Sequence, residues 1–379
     1  MQFEINSSIN SIPEADWDAL NTSNFPFIRY AFLSALESSG AVSERSGWQA
    51  HHLVIKDKNK IIAVMPSYLK HHSYGEYVFD FQWAEAYQRT GIEYYPKLVS
   101  AIPFSPVTGP RLLINPDYNE SDILDFISGE LRKFLSESNY SSWHSLFLNK
   151  EQSDLLSSKQ FSQRRAVHFK WNNKSYASFD DFLNACNSRH RKNIRKERRR
   201  VIEQDITLQQ IEGIDITENE WRSFYQFYQA TYLKRSGHGG YLNPDFFIAL
   251  KTNMAEQLMI ITASKNNEMV GAALYLKDNE SLYGRYWGSY SEDEFLHFEA
   301  CYYQGIEYCI EQGLKYFDPG VQGEHKLQRG FEPYFTYSNH WIVHPEFRLA
   351  INQFLKDEPP YVEDYFSYTQ TRLPYKNPT

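Results

Sequence analysis

The chain has 379 residues, 42% of them hydrophobic, and carries 39 Lys and Arg against 47 Asp and Glu for a net charge of −8. That length exceeds what one core usually supports, so two compact domains are expected. Three cysteines, Cys186, Cys301 and Cys309, cannot build a disulfide framework, and no run approaches the roughly 20 apolar residues that span a bilayer. Cys301 and Cys309 sit eight residues apart on one predicted helix, about 12 Å along its axis and too far to bridge. Met1 to Asn6 lacks a cationic region followed by an apolar one. A soluble protein of a reducing cytoplasm is expected, without stable membrane insertion. The 28 Tyr, 26 Phe and 8 Trp suit either a ring-lined ligand groove or a core and rim built from large side chains.

In chain order, the first element is an aromatic-rich helix, Phe27 to Ser38, followed by two strands around a polar turn between Leu53 and Met65. The pairs His51-His52 and His71-His72 suggest metal, but neighbours on a strand point to opposite faces and no cysteine or carboxylate cluster completes a site. The run Arg189 to Arg200 then places eight Lys or Arg residues in twelve positions. As a helix it can present Arg189, Arg191, Lys192, Arg195, Lys196 and Arg199 to a phosphate backbone, or it can be a solvated helix whose charges pair with the acidic remainder. Beyond it the first-half pattern returns. A helix over Trp221 to Leu233 precedes two strands between Met259 and Ala273, and Tyr275-Leu276-Lys277 echoes Tyr68-Leu69-Lys70 after one shift. An internal duplication is expected, with its boundary near residues 150 to 180.

Ser281 to Phe331 reads as strand, helix, strand and a polar loop. Ser281 to Trp287 is an aromatic run suited to a strand, and from Phe298 small or apolar residues recur at Cys301, Tyr302, Gly305, Ile306, Cys309 and Ile310, with Glu299, Tyr303, Glu307 and Glu311 on the opposite stripe. Gly313 is placed to end the helix in a left-handed conformation, and Leu314 to Phe317 gives a short strand. Two strands joined by a helix should run parallel, and ligands in such sheets bind beyond the carboxyl ends of the strands. That edge carries Asp318, Gly320, Gly323, Glu324, His325, Lys326 and Arg329. The tail from Pro345, with Pro359-Pro360 and Leu373-Pro374, is expected to be irregular. No Walker loop, nucleophile elbow or dinucleotide fingerprint occurs.

The run Phe317 to Phe331, FDPGVQGEHKLQRGF, resembles the FemAB-like family of peptidoglycan biosynthesis or recognition proteins, within the wider acyltransferase class of the GNAT fold. The resemblance extends to His71 to Asp80, Tyr94 to Leu98, Pro103 to Pro106, Asn193 to Arg198 and Thr336 to Trp341. It implies an α/β fold of tandem GNAT-like domains with mixed twisted sheets flanked by helices, over 1–165 and 166–345, with 346–379 as a tail packing on them. It also implies an enzyme that forms an amide bond, taking an amino acid from aminoacyl-tRNA to an amine on a peptidoglycan-precursor-like acceptor. Two alternatives stay open: an acyl-CoA donor held at an atypical site, and a non-catalytic module that recognises peptidoglycan fragments or RNA. The glycine-rich pyrophosphate turn of a CoA enzyme should lie after the strand at 281–287, where the sequence instead reads Gly288-Ser289-Tyr290-Ser291-Glu292-Asp293-Glu294. No resident cofactor and no metal are expected.

Amide formation requires an amine relieved of its proton, a stabilised oxyanion and a held leaving group. Asp318 can orient the acceptor amine or cap a turn, and His325 can transfer a proton or serve as a hydrogen-bonded structural residue. Tyr337, in the last resembling segment, is the third catalytic candidate. Gly320 and Gly323 can turn backbone N–H groups toward an anion, with Lys326 and Arg329 as an exposed anion clamp that contributes little to stability. Arg285, Trp287, His297, Glu299 and Glu324 are placed around the same opening. In the first half, Tyr74, Glu76 and Asp80 are taken as substrate-binding residues, or as parts of a buried polar network.

Overall fold

The structure, a computed structural model, describes residues 1–321 and 323–376. They divide into two units, Met1–Val167 with Phe335–Asp364 and His168–Tyr334 with Tyr365–Thr379. The chain therefore leaves the first unit within one strand and re-enters it within another.

In the first unit the strands are β1 (Gln2–Asn6), β2 (Trp48–Ala50), β3 (His52–Asp57), β4 (Lys60–Met65), β5 (Tyr68–Lys70), β6 (Lys97–Ser100), β7 (Leu113–Ile114) and β8 (Ser142–Leu148). They are ordered β1-β3-β4-β7 and β8-β6-β5-β2. The helix Glu120–Glu137 turns Ile123, Leu124, Ile127, Leu131 and Leu135 onto a core with Leu53, Ile55, Ile62, Met65 and Trp143. These five recur at helical spacing, so one stripe is buried while its charged residues stay outside.

The second unit holds β9 (Ser162–Asn172), β10 (Ile206–Glu212), β11 (Leu258–Lys265), β12 (Glu268–Lys277), β13 (Ser281–Ser289) and β14 (Tyr316–Asp318), in the order β10-β11-β12-β13-β14-β9. Its pairs are antiparallel except β13 with β14, which run parallel as a strand–helix–strand connection requires. β15 (Glu332–Ile342) carries the chain back to pair with β8. The fold is thus α/β, with mixed sheets flanked by helices.

The two units share a local signature in their hairpins. β3–β4 turns through Lys58 and Asn59 (φ 46° and 70°), and β11–β12 turns through Asn266 and Asn267 (φ 53° and 61°). Both have the left-handed residue pair of a tight hairpin turn. Each hairpin shifts register at the same distance before its turn, at Ile55/Lys56 and at Ala263/Ser264. Each also takes an antiparallel partner on its outer edge, β1 or β10.

Two expectations fail. The tail is two helices, Pro345–Asp357 and Pro359–Gln370, because proline is tolerated in a first helical turn, where its missing N–H has no partner to lose. The helix after β13 does not keep one α period. It starts at Leu296, makes a π-helical turn over Glu299–Tyr303 and continues as α-helix over Gln304–Glu311. The extra residue in that turn rotates the buried face, so Tyr303 and Glu299, assigned to the outer stripe, are buried.

The helix Glu218–Ser236 packs on β13 at Gly288, where an added Cβ would fall 2.1 Å from the backbone carbonyl carbon of Phe227. Backbone cannot rotate away as a side chain can. Gly288→Ala is therefore expected to cost at least the 1–3 kcal/mol typical of overpacking, as a lowered denaturant midpoint without a change in slope.

Candidate functional site at the end of the parallel strands

β13 and β14 pair only over Ser281↔Tyr316, Leu282↔Phe317 and Tyr283↔Asp318. β13 then runs on to Ser289, so past Asp318 it extends without β14 beside it. The loop that follows turns at Gly320 (φ 81°) and Gly323 (φ 100°), forms a 3-10 turn over Glu324–Arg329, and ends at Gly330 (φ 94°). These positive φ values are readily adopted by glycine alone, and they bend the loop back over the strand ends.

Asp318 and Arg285 form a two-point ion pair, with Nη1 to Oδ1 at 3.1 Å and Nη2 to Oδ2 at 2.8 Å. Gly320 N–H also donates to Asp318 Oδ1, at 2.8 Å. Burial raises the Asp318 carboxyl, but the Arg285 charge and these hydrogen bonds outweigh it and hold the pKa below the usual carboxylate value. Asp318 is therefore an ionised anchor rather than a base. Lys326 is 2% exposed, and its ammonium donates to Gly320 C=O at 2.6 Å. Burial lowers its pKa from 10.5 to about 8, with Asp318 opposing and Arg285 reinforcing the shift. His168, which sequence reading passed over, sits in the electrostatic reach of Asp318, Lys326 and Arg285, and burial brings its pKa down to about 4.

His325 lies at the surface, with Nε2 2.9 Å from the Tyr302 hydroxyl and its ring beside Phe298. Partial burial, then Arg329 and Lys326, lower its pKa to about 4, so it is a neutral imidazole at pH 7. His297 contacts the rings of Trp287 and Tyr302, and burial with Arg235 nearby lowers it to about 3. Arg285, Trp287, His297, Gly320, Gly323, His325 and Lys326 thus all belong to this strand end. Glu324 is exposed and accepts from Tyr365 at 3.0 Å.

Arg329 corrects the expectation of an exposed clamp. It is 6% exposed, its Nη2 and Nε bond Glu197 at 2.7 and 3.1 Å, and Nη1 donates to His325 C=O at 2.8 Å. Its guanidinium lies 3.5 Å from the Phe298 ring centroid. Glu197 belongs to the basic helix, Ser188–Ile202, and is the single acid in the run 189–200. The next residue, Arg198, bonds Glu299 at 3.1 Å and Glu307 at 2.7 Å. Glu299 is therefore a buried anchor rather than a ligand group at the opening. Glu197 was missed, although a lone carboxylate inside a cationic run was the available signal.

The outer side of that helix differs. Ile194 and Val201 face inward, while Arg189, Lys192, Lys196, Arg199 and Arg200 are exposed. At 100° per residue those five fall within an arc of about 100° and span about 16 Å of axis. Among the described residues Arg189, Arg191, Lys192 and Lys196 have no acidic partner in ion-pair range, whereas Arg195 pairs with Asp180, and Arg199 and Arg200 with Glu203. The inner face is thus paired, and the outer face is paired at Arg195, Arg199 and Arg200 but not at Arg189, Lys192 and Lys196.

The first unit has its own polar centre. The Lys97 ammonium, fully buried, donates to Ser73 Oγ at 2.8 Å, Glu76 Oε2 at 2.9 Å and Asp80 Oδ2. Tyr94 donates to Asp80 Oδ2 at 2.6 Å, and His144 and His340 share a 2.7 Å Nδ1–Nδ1 contact. Burial raises Glu76 to about 7. Burial also opposes ionisation of Asp80, but Lys97 outweighs it and holds the carboxyl below its usual value. Glu76 and Asp80 therefore belong to a buried network, while Tyr74 is exposed. Tyr337 lies in the same unit, buried in the core against Leu148, so it is a packing residue there. Among the described residues no group of three or more His, Cys, Asp or Glu is placed to hold a metal ion. No helix among them is long and apolar enough to cross a membrane.

The Glu292-Asp293-Glu294 segment engages Lys234, Lys265 and Arg200 respectively, and the helix after it begins behind Phe295 in a left-handed conformation (φ 62°). No glycine-rich anion cradle precedes this helix.

Arg329→Ala would strand the Glu197 carboxylate in a largely buried place. It is expected to destabilise by about 3–5 kcal/mol, and Glu197 and Arg329 should show strong coupling in a double-mutant unfolding cycle. Lys326→Met probes the opposite case. Lysine titrates near 10.5 unfolded and about 8 folded, so between those values the unfolded chain binds more protons and native stability rises with pH. The wild type should therefore gain about 3 kcal/mol relative to Lys326→Met between pH 8 and 10.5; a pH-independent difference would show that the lysine is not buried as a charge.

Among solved structures, FemX is similar over 93% of this chain and 100% of its own, with 11% identity and a TM-score of 0.54. A conserved protein of unknown function from Bacteroides thetaiotaomicron aligns over 89% of this chain and 99% of its own, with 11% identity and a TM-score of 0.53. The C-terminal domain of a putative lysylphosphatidylglycerol synthetase from Agrobacterium fabrum covers 89% and 95%, with 8% identity and a TM-score of 0.52. Identities this low establish the fold alone. No curated protein matches the chain in sequence. The FemAB-like family, described as peptidoglycan biosynthesis/recognition, matches residues 8–377, and the chain belongs to that family.

Proposed function

We propose that the protein is a Fem-type transferase that forms an amide bond by moving an aminoacyl group from aminoacyl-tRNA to an amine of a peptidoglycan-precursor-like acceptor. The observation that carries this reading is the two-faced helix Ser188–Ile202. Its outer ridge offers unpaired cations at Arg189, Lys192 and Lys196, while its inner face is bonded through Glu197 to Arg329 of the strand-end loop. A phosphate chain on the ridge would be tied by one ion pair to the loop where the strands part. The family membership supports the acceptor class.

In the reaction the acceptor nitrogen attacks the ester carbonyl carbon, a C–N bond forms, and the C–O bond to the ribose breaks. The nitrogen loses a proton and the departing ribose oxygen gains one. His325, exposed and neutral at pH 7, takes the proton, and Tyr302 orients its ring. Asp318, fixed by Arg285, and Lys326, fixed on Gly320, shape the loop that faces the reacting carbonyl.

The triple change Arg189→Gln, Lys192→Gln, Lys196→Gln is expected to leave melting unchanged, because these side chains are exposed and unpaired. It should weaken tRNA binding and lower the salt slope by about 1 for each lost phosphate contact. Transfer is then assayed with a mixed aminoacyl-tRNA pool and, in parallel, with acyl-CoA. Transfer from acyl-CoA alone, or tRNA binding untouched by the triple change, would overturn the donor assignment. His325→Ala should abolish turnover and leave tRNA affinity intact.

A further inference from the structure

We infer that Arg235 holds a backbone phosphate at the single-stranded 3′ end of the donor RNA, beside the opening where the parallel strands part. This rests on the aminoacyl-tRNA reading above and adds a contact which that reading does not assign. Arg235 lies in the last turn of the helix Glu218–Ser236, which packs along β13. The backbone of Phe227 meets Gly288, and Thr231 Oγ1 accepts from the N–H of Ser289, the last residue of β13, at 3.1 Å. Phe227, Thr231 and Arg235 follow at intervals of four and so share one helical face. Arg235 comes one turn after Thr231, about 6 Å along the axis, beyond the end of β13. His297, Cys301 and Tyr302, on the helix that follows β13, lie within electrostatic reach both of Arg235 and of Lys326 or Arg329. Arg235 and the strand-end loop therefore border the same three residues.

The neighbouring cations are engaged and Arg235 is not. Asp318 holds Arg285, Glu197 holds Arg329, Gly320 C=O takes Lys326, and Glu292 takes Lys234. Arg235 is exposed, with no acidic partner in ion-pair range among the described residues. Its planar fork of N–H donors matches the oxygens of a phosphate.

Two observations make that phosphate part of a nucleic acid. Gln204, just past the ridge helix Ser188–Ile202, donates to Glu294 C=O at 3.0 Å and accepts from Glu294 N–H at 2.9 Å, while Glu292 pairs with Lys234. Two chain steps, about 7 Å, thus lie between the end of the cationic ridge and the turn that carries Arg235, and a strand following the ridge toward its carboxyl end reaches that turn. Beside Arg235, the exposed His238 accepts from Gly240 N–H on Nδ1 at 3.2 Å and leans on the rings of Tyr232 and Tyr241, with centroids 5.6 and 5.2 Å away. An exposed ring fixed next to a cation suits the stacking of an unpaired base.

The test is binding of the full chain to an intact deacylated tRNA pool and to the same pool with its single-stranded 3′ end removed. Arg235→Gln should weaken binding of the intact pool about tenfold, leave the trimmed pool unaffected and leave melting unchanged; Arg235→Lys, which keeps the charge, should recover most of the loss. His238→Ala should weaken the intact pool alone, about fivefold. Lys234→Gln, one residue away but paired with Glu292, should leave the ratio of the two affinities as in the wild type. Full affinity of Arg235→Gln for the intact pool would leave the guanidinium to a carboxylate of the acceptor and overturn the inference, and so would an equal loss on both pools. In either case the donor reading survives if the triple ridge change still weakens both pools, whereas a wild type that binds neither pool overturns the donor reading and this inference together.

Discussion

The second unit depends on one adjacent pair of opposite charges, Glu197 and Arg198, on the inner side of a helix that is otherwise cationic. Glu197 holds Arg329 and the Tyr303 hydroxyl, and Arg198 holds Glu299 and Glu307. Two elements far apart in sequence, the strand-end loop and the helix after β13, are thereby fixed to one helix. Each partner is largely desolvated, so the arrangement persists because every charge has a counter-charge and hydrogen bonds at workable geometry. The same helix can then expose an unpaired cationic ridge, because its attachment is made from the opposite side.

The loop illustrates how burial redistributes chemical roles. Asp318 is tuned downward by Arg285, Lys326 downward by burial, and His325 downward by burial and the two loop cations. Of these, His325 alone is both surface-exposed and uncharged at pH 7. Lys326 donates its ammonium N–H to a backbone carbonyl, so that donor is engaged by the turn at Gly320 rather than by a free anion.

The first unit repeats the hairpin of the second but not its site. Where the second unit leaves an opening between parallel strands, the first fills its polar centre with Lys97, Glu76 and Asp80 and continues it through Tyr94 to His144 and His340. Buried ionic groups of this kind are held by mutual satisfaction.

The sequence by itself determined the elements whose pattern is local. Alternating and apolar runs placed the two hairpins, the aromatic helix over Trp221 to Leu233 and the β13 strand, and Gly313 marked a helix end because its left-handed conformation (φ 67°) suits glycine. The motif from Phe317 to Phe331 located the loop correctly, since glycine spacing records backbone turns. Tertiary structure decided what sequence spacing does not encode. The π-helical turn moved Glu299 and Tyr303 inward, Pro345 and the pair Pro359-Pro360 opened helices instead of ending structure, and Tyr337 fell into a core. Above all, Arg329 was read as a free cation because its partner Glu197 lies 132 residues away. Charge in a sequence gives sign and position. Whether that charge binds a ligand or a carboxylate of the same chain is set by burial and by which distant residue the fold brings to it.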